Sequence, residues 1–451
     1  MSFIIQNIDR ILKKIRENIF LISISLFFPV ALLRFIKAIN EGWGRFSGEF
    51  KASFPLAYFL PSYNPDLYNS LLTSTSAGGV YFPDTPIWHY GPIHHFWLYP
   101  LTLFIKNFET FMNSVFIIYL FLIIIGFSLL YQALTNKKNI YFLIAFWTII
   151  LGCFQMNDNL LQRNIELLEL FLIIVAFWCL THKIDFLGGI VLCFAAMAKL
   201  FPFIFFPYLL IKRKFKSAFG FMLAFVIIFI ATQLILGWEN SNLLRGGQAQ
   251  KYGLPSVSSL LGEAYFAPIH PQRGSLYTFI LSFFAHVDMS TFVPKVTYTT
   301  NNFLTPNLTY LSLVFILVLV SFYIFYTSKK QNLLNEFAIL TLLMQLCWPR
   351  TNPHYYVFAI FSCISLLVFF QSKFSMSNKL KYCLFFIYIV ALLLMGNLIP
   401  ASIYGKLFTL KNIPFHYFST YGLFGLGSLT LWCLVIFTHF KNQKKILGSD
   451  I

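Results

Sequence analysis

The sequence predicts an all-α polytopic membrane protein with roughly twelve transmembrane helices and extracytoplasmic loops that carry short helices. Three observations carry that prediction. Hydrophobic residues make up 58% of the 451-residue chain and charged residues 11%, against about 25% charged in a soluble domain. Apolar runs long enough to cross about 30 Å of hydrocarbon, at about 1.5 Å of rise per residue, recur from residue 18 to residue 440. Lys and Arg gather in short clusters between those runs, and a count of roughly twelve spans puts every strongly basic turn on one side, as the positive-inside rule requires. The formal charge of +17 therefore reads as a topology signal rather than a nucleic-acid surface.

Met1 to Arg16 alternates apolar and basic residues at helical spacing, which suits a helix lying on an anionic cytoplasmic leaflet. No small-residue cleavage site follows the apolar run Asn18 to Phe35, so that run is expected to stay as the first span, near 18–37. A polar loop then reaches about residue 108, and a second span near 110–133 returns to the basic turn Asn136-Lys137-Lys138-Asn139. Spans near 140–155 and 165–181 enclose an outer turn at 157–164. Two short runs, 185–198 and 200–211, are split by Lys199 and Pro202 and end at Lys212-Arg213-Lys214-Phe215-Lys216. Neither alone crosses a bilayer comfortably, so a tilted or broken helix facing a cavity is expected. Spans follow near 217–236, 304–326, 334–348, 355–371, 381–398 and 420–439, which leaves both termini cytoplasmic.

The whole chain, 1–451, reads as a single integral-membrane domain. Its outer face carries three segments too long for plain turns: 38–108, 237–303 and 398–419. The seven cysteines, Cys153, Cys179, Cys193, Cys347, Cys363, Cys383 and Cys433, lie in or beside apolar runs with no CxxC or His-paired spacing. They read as small core residues, with neither a disulfide framework nor a metal site.

Candidate chemistry lies on the outer face. Asp66, in Asn64-Pro65-Asp66-Leu67-Tyr68, is one of only 16 acidic residues. A carboxylate there could take a proton from an attacking hydroxyl, or it could simply cap a helix beginning at Leu67. Tyr68 and Tyr90 flank the same loop. His89, His94 and His95 lack a matching carboxylate or thiol and read as interfacial packing. Gln162, Arg163, Asn164 and Glu166 stand at the mouth of a span, where Arg163 could bind a phosphate as a fork or serve as an anchor without a ligand. Lys199 interrupts apolar sequence, and an ionisable group at membrane depth is by default functional unless it snorkels. Arg350 and His354 share an outer turn where Arg breaks the basic-inside pattern, and Ser275 follows Arg273-Gly274. One acid with several cations is an inventory for displacing a phosphate leaving group, which needs no general acid, whereas glycoside hydrolysis would need two carboxylates. No GxxxxGK[ST] or GxGxxG stretch precedes a helix, so a lipid carrier fits better than a nucleotide.

At these residues the chain resembles the GT-C superfamily of polyprenyl-phosphate-dependent glycosyltransferases, and within it the GT87 family. The early-loop pattern of that family is similar to Asp66, Tyr68, Gly79, Tyr81, Tyr90-Gly91-Pro92 and Tyr99-Pro100-Leu101. Its Gly-Gln-x-Asn motif resembles Leu161-Gln162-Arg163-Asn164, with Leu161 in place of Gly. Its Ala-rich run ending in Lys and Pro looks like Ala195-Ala196-Met197-Ala198-Lys199 with Pro202 and Pro207. Its Asn-x-Ser-Leu stretch is similar to Arg273-Gly274-Ser275-Leu276, and its Ser-Pro-x-x-Trp-x-His-His turn resembles Trp348-Pro349 through His354-Tyr355, where the second His is absent.

The resemblance implies a GT-C fold and inverting transfer without metal, with Asp66 as general base. It implies a bacterial inner-membrane enzyme, active on the extracytoplasmic side, with no cofactor. The donor is a polyprenyl-phosphate sugar, with mannose preferred, and the acceptor a hydroxyl of a lipid-linked or surface glycan. Membrane lipids surround it and nucleic acid is not a partner. Arg163, Lys199, Arg350 and His354 are the expected donor-phosphate contacts, and Tyr68, Tyr90, Gln162, Asn164 and Ser275 the expected substrate contacts. Two alternatives stay open: another GT-C transferase, moving aminoarabinose to lipid A or mannose to protein, and a non-enzymatic flippase or polymerase of lipid-linked glycans.

Overall fold

The structure, a computed structural model, describes residues 14–15, 17–43, 101, 104–105, 107–134, 139–199, 201–240, 275–281, 283–288, 295–298, 304–328, 332–348, 353–371, 377–397 and 423–447. These are overwhelmingly helical, as a bilayer demands, because every backbone donor and acceptor there must be satisfied internally. Among the described residues, five helices are long and apolar enough to cross a membrane: Ile19–Gly42, Glu109–Leu134, Thr305–Thr327, His354–Gln371 and Leu423–Lys441. A sixth arises if Ile140–Gly152 and Phe154–Leu161, bent by 51°, count as one span. Roughly twelve were expected from the apolar runs. That number is not confirmed: two of the expected spans, Asp185–Ala198 and Leu333–Leu346, have 14 residues each, which gives about 21 Å of helix against about 30 Å of hydrocarbon.

The chain clusters into two compact units that alternate along the sequence. One comprises Met1–Lys37, Asn136–Asn157 and Pro268–Ile451. It contains α1 (Ile19–Ser25), the start of α2 (Phe28–Gly42), and, beyond α3 (Phe108–Leu134), which lies in the other unit, α4 (Ile140–Gly152). The expected outer turn at 157–164 is instead mostly a further helix, α5 (Phe154–Gln162), whose first residues belong to this unit. The break falls at Cys153, which is extended at φ −68° and ψ 113°. Arg34 donates to Gly152 O at 3.1 Å and Gly396 O at 3.0 Å. The Gln155 amide donates to Met395 O at 2.5 Å, and Phe154 N–H donates to Asn397 Oδ1 at 3.1 Å. The free carbonyls and amides at the break are thereby paired rather than stranded in an apolar interior.

The other unit comprises Ala38–Thr135 and Asp158–Ala267. After α3 it holds α6 (Glu166–Thr181), α7 (Asp185–Ala198), a 3-10 turn at Phe201–Ile204, α8 (Phe205–Ile211) and α9 (Phe215–Asn240). Helix α6 packs on α3 and α7, and α7 packs on α9. The α7–α9 approach is set by glycine: a Cβ on Gly189 would lie 1.9 Å from Ser217 O and one on Gly220 2.3 Å from Phe186 O. Small residues are what let backbones touch where no hydrophobic effect drives helices together.

The first unit continues with α10 (Leu276–Leu281), then strands β1 (Ala285–Asp288) and β2 (Lys295–Tyr298), paired antiparallel with Ala285 opposite Tyr298. This ribbon was not foreseen in the sequence. Helices α11 (Leu304–Thr327), α12 (Leu333–Leu346), α13 (Ile360–Gln371), α14 (Asn378–Leu394) and α15 (Leu423–Leu447) complete it. Helices α12 and α13 are buried on nearly every side, as all-round apolar helices are. Ser365 donates to Asn335 Oδ1 at 2.6 Å and Ser428 to Gln345 Oε1 at 3.2 Å, which ties α12 to its neighbours by interhelical hydrogen bonds.

Gly189→Leu is expected to force α7 away from α9 and to lower stability by at least the ~1–3 kcal/mol of an overpacked core. Thermal unfolding in detergent micelles measures it, and a melting temperature equal to wild type would count against the glycine contact.

Candidate functional site

Among the described candidate residues, Lys199 stands at the break after α7 and Gln162, Arg163 and Asn164 at the turn before α6, whereas Ser275 and His354 belong to the other unit. Pro202 lacks the N–H a helix needs and clashes with the preceding turn, so α7 stops at Ala198. Lys199 follows in an extended conformation, φ −155° and ψ 145°. Residues 195–198 are all buried, and these small side chains bring the helix end close to α6. Lys199 Nζ donates to Glu166 Oε1 at 2.6 Å, with the lysine side chain 17% and the glutamate 2% exposed. The ammonium also stands 5.4 Å from the Phe201 ring centroid. A cation at a helix C-terminus and a carboxylate in the first turn of a helix each complement the local backbone dipole.

One helical turn beyond Glu166, Glu169 is fully buried and neither of its carboxylate oxygens has a hydrogen bond. The first turn of α6 thus carries two buried carboxylates, of which Glu166 is paired with Lys199. Of the three residues, Lys199 was expected from the sequence; Glu166 was noticed but given no role, and Glu169 was missed. The available signal was two acids three residues apart, hence on one helix face, opening an apolar run in a chain poor in acids.

The turn that launches α6 is built by Arg163. Helix α5 ends in a Schellman pattern: Arg163 N–H donates to Leu160 O at 3.4 Å and Asn164 N–H to Asn159 O at 3.0 Å. Arg163 takes the left-handed position, φ 54°, where a non-glycine residue costs about 1–2 kcal/mol. Its fully buried guanidinium donates to Met112 O at 3.1 Å, Leu161 O at 3.2 Å and Gly42 O at 2.8 Å, over the Phe116 ring at 5.4 Å. Three charge-assisted bonds more than offset the backbone cost. Burial pulls this guanidinium down to about 10, so it stays protonated at neutral pH. This is the geometry of an anchor that fixes where α6 begins, and hence where Glu166 and Glu169 stand.

Asn164 is half-buried beside it, and Gln162 closes α5. Ser275, in the other unit, is buried; its hydroxyl accepts from Thr278 N–H at 3.1 Å and pairs with Thr278 Oγ1 at 2.9 Å, which caps α10. His354 packs edge-on against Tyr355 at 4.5 Å in the 3-10 turn Pro353–Ala359. Asp66, Tyr68, Tyr90 and Arg350 lie outside the described residues. Among the described residues no group of three or more His, Cys, Asp or Glu is placed to hold a metal ion.

A helical chain with several membrane-length apolar helices is a multi-pass membrane protein, and this one holds an ion pair at a helix break. Comparison with known families gives the class: the model of glycosyltransferase family 87 matches residues 88–349. The chain belongs to this family, and it is a membrane glycosyltransferase. The match includes Tyr90, Gln162, Arg163, Asn164, Glu166, Glu169, Lys199 and Ser275; it begins after Asp66 and Tyr68 and ends one residue before Arg350. No curated protein matches the chain.

Lys199→Met strands the Glu166 carboxylate and is expected to cost on the order of 3–5 kcal/mol, as does removal of one partner of a buried ion pair. Adding Glu166→Gln should recover much of that loss. Unfolding of both variants in micelles is the check; a double variant no more stable than the single one would deny that the pair is coupled.

Proposed function

We propose that the protein transfers a hexose, mannose first among the candidates, from a polyprenyl-phosphate carrier to a hydroxyl of a lipid-linked or surface glycan. Transfer takes place on the extracytoplasmic face of the bacterial inner membrane and inverts the anomeric carbon. The reading is carried by the family match, supported by the Lys199 ammonium, a sequence-predicted phosphate contact, being held at a helix break.

In this reading the acceptor oxygen attacks the anomeric carbon while the Asp66 carboxylate takes its proton. The bond from that carbon to the phosphate oxygen breaks on the opposite face, and the electron pair leaves on the polyprenyl phosphate. A phosphate is a good leaving group without protonation, so the demand on the protein is positive charge at that end. Lys199 is proposed to supply it, its attraction strengthened by apolar surroundings. Arg350 and His354 are proposed as further contacts. Arg163, with its donors on backbone carbonyls, is assigned the task of setting the α5–α6 turn. Tyr68, Tyr90, Gln162, Asn164 and Ser275 remain proposed contacts to the sugars.

Membranes carrying the protein, given radiolabelled polyprenyl-phosphate mannose and a lipid-glycan extract, should form labelled product. Asp66→Asn should reduce the rate by about 10²- to 10⁴-fold, the usual contribution of a general base, while purified protein keeps its melting temperature. Undiminished transfer by Asp66→Asn would remove the assigned base, and failure with every polyprenyl-phosphate sugar would remove the donor.

A further inference from the structure

We propose that the turns after α6 and after α8 together form a seat for one anionic phospholipid headgroup, at the end of the helix pair opposite Lys199. The two turns close their helices in the same way. Lys183 N–H donates to Leu180 O at 3.4 Å and Ile184 N–H to Cys179 O at 2.9 Å; Arg213 N–H donates to Leu210 O at 3.0 Å and Lys214 N–H to Leu209 O at 2.8 Å. In each, a long basic residue takes the left-handed position, Lys183 at φ 62° and Arg213 at φ 54°, where glycine would sit without strain.

The turns are neighbours. Lys214 Nζ lies 3.5 Å from Asp185 Oδ1, the Phe186 and Phe219 rings are 6.2 Å apart, and the α7–α9 glycine contact lies directly behind them. Five cations, Lys183, Lys212, Arg213, Lys214 and Lys216, thus lie in or beside the two turns, with one carboxylate, Asp185, paired to Lys214. Lys183, Arg213 and Lys216 are exposed. Next to them Phe186, Leu187, Phe215 and Phe219 are exposed as well, the last two each at 64%.

That juxtaposition matches one kind of partner. A soluble anion would need the cations but not the rings, and uncharged lipid would need the rings but not the cations. A phospholipid with net negative charge uses both, its phosphate among the cations and its acyl chain along the aromatic side chains. Nothing in the proposed transfer chemistry uses this end of the unit, so the seat stands independently of it.

The full-length protein, purified in a zwitterionic detergent, should bind dioleoylphosphatidylglycerol, seen as retained lipid by native mass spectrometry and as a rise in melting temperature. Dioleoylphosphatidylcholine should give neither, and added salt should weaken the effect. Lys183→Gly and Arg213→Gly remove charge while relieving the left-handed backbone, so the lipid-free protein should be no less stable. Each should weaken binding about fivefold, and a triple variant with Lys216→Gln on the order of a hundredfold, at about one basic-residue contribution per site. Lys183→Arg, which keeps the charge, should bind as wild type. Wild-type affinity in the triple variant would overturn the proposal, as would equal stabilisation by phosphatidylcholine or by inorganic phosphate.

Discussion

The ion pair between Lys199 and Glu166 is the constraint on which the second unit turns. Charges at membrane depth are expensive unless paired, and a long apolar helix has no place for them along its length. The chain places them where backbone dipoles already favour them: the ammonium where α7 stops, the carboxylates where α6 starts. Three features of the sequence make this possible. Pro202 stops α7, the alanine-rich run lets it approach α6, and Arg163 fixes the turn from which α6 begins. A change in any of these would move a charge away from its counter-charge rather than merely loosen packing.

Helix ends recur as the means by which this chain handles polarity. Around Cys153 in the first unit, Arg34 and the Asn397 side chain satisfy Gly152 O and Phe154 N–H at the bend, and the Gln155 amide satisfies Met395 O at the end of α14. In the second unit Arg163, Lys183 and Arg213 close helices from the left-handed region, and in the first Gly396 does so with φ 72°. Basic residues at three of these four ends trade a little backbone strain for charge against the negative end of the helix. Only at Arg163 is the side chain buried and its donors spent on carbonyls.

The helical class, the break at Lys199–Pro202 and most helix positions were legible because apolar run length and proline are local signals. The number of full spans was not, since an apolar run says nothing about whether its helix reaches the full membrane thickness, as α7 and α12 show. The helix at Phe154–Gln162 was hidden by its asparagines, which read as a turn; Asn157 is accommodated by donating to Leu151 O at 3.0 Å. Lys199 stood out as a lone cation in apolar sequence. Its partner did not, because a contact across 33 residues leaves no periodicity to follow. Arg34 was equally isolated within the first apolar run and could have been singled out by the reasoning applied to Lys199. Arg163 was visible, but whether an arginine faces a ligand or the backbone depends on which carbonyls lie within reach.

The charge balance at the break also limits how Lys199 can act in the proposed reaction. Two carboxylates and one ammonium already carry an excess of negative charge if both acids are ionised. A donor phosphate brought to Lys199 would add another anion a few ångströms away, where weak screening makes like-charge repulsion severe. Lys199 has three N–H donors and can keep Glu166 while taking a phosphate oxygen, and the repulsion falls if Glu166 turns away or the acid pair holds a proton. Glu169, lacking hydrogen bonds, is the group with least to lose by taking that proton. The Glu166 carboxylate that holds Lys199, with Glu169 a turn away, thus opposes an anion at the break, which favours release of the lipid phosphate after transfer as much as it limits binding before it.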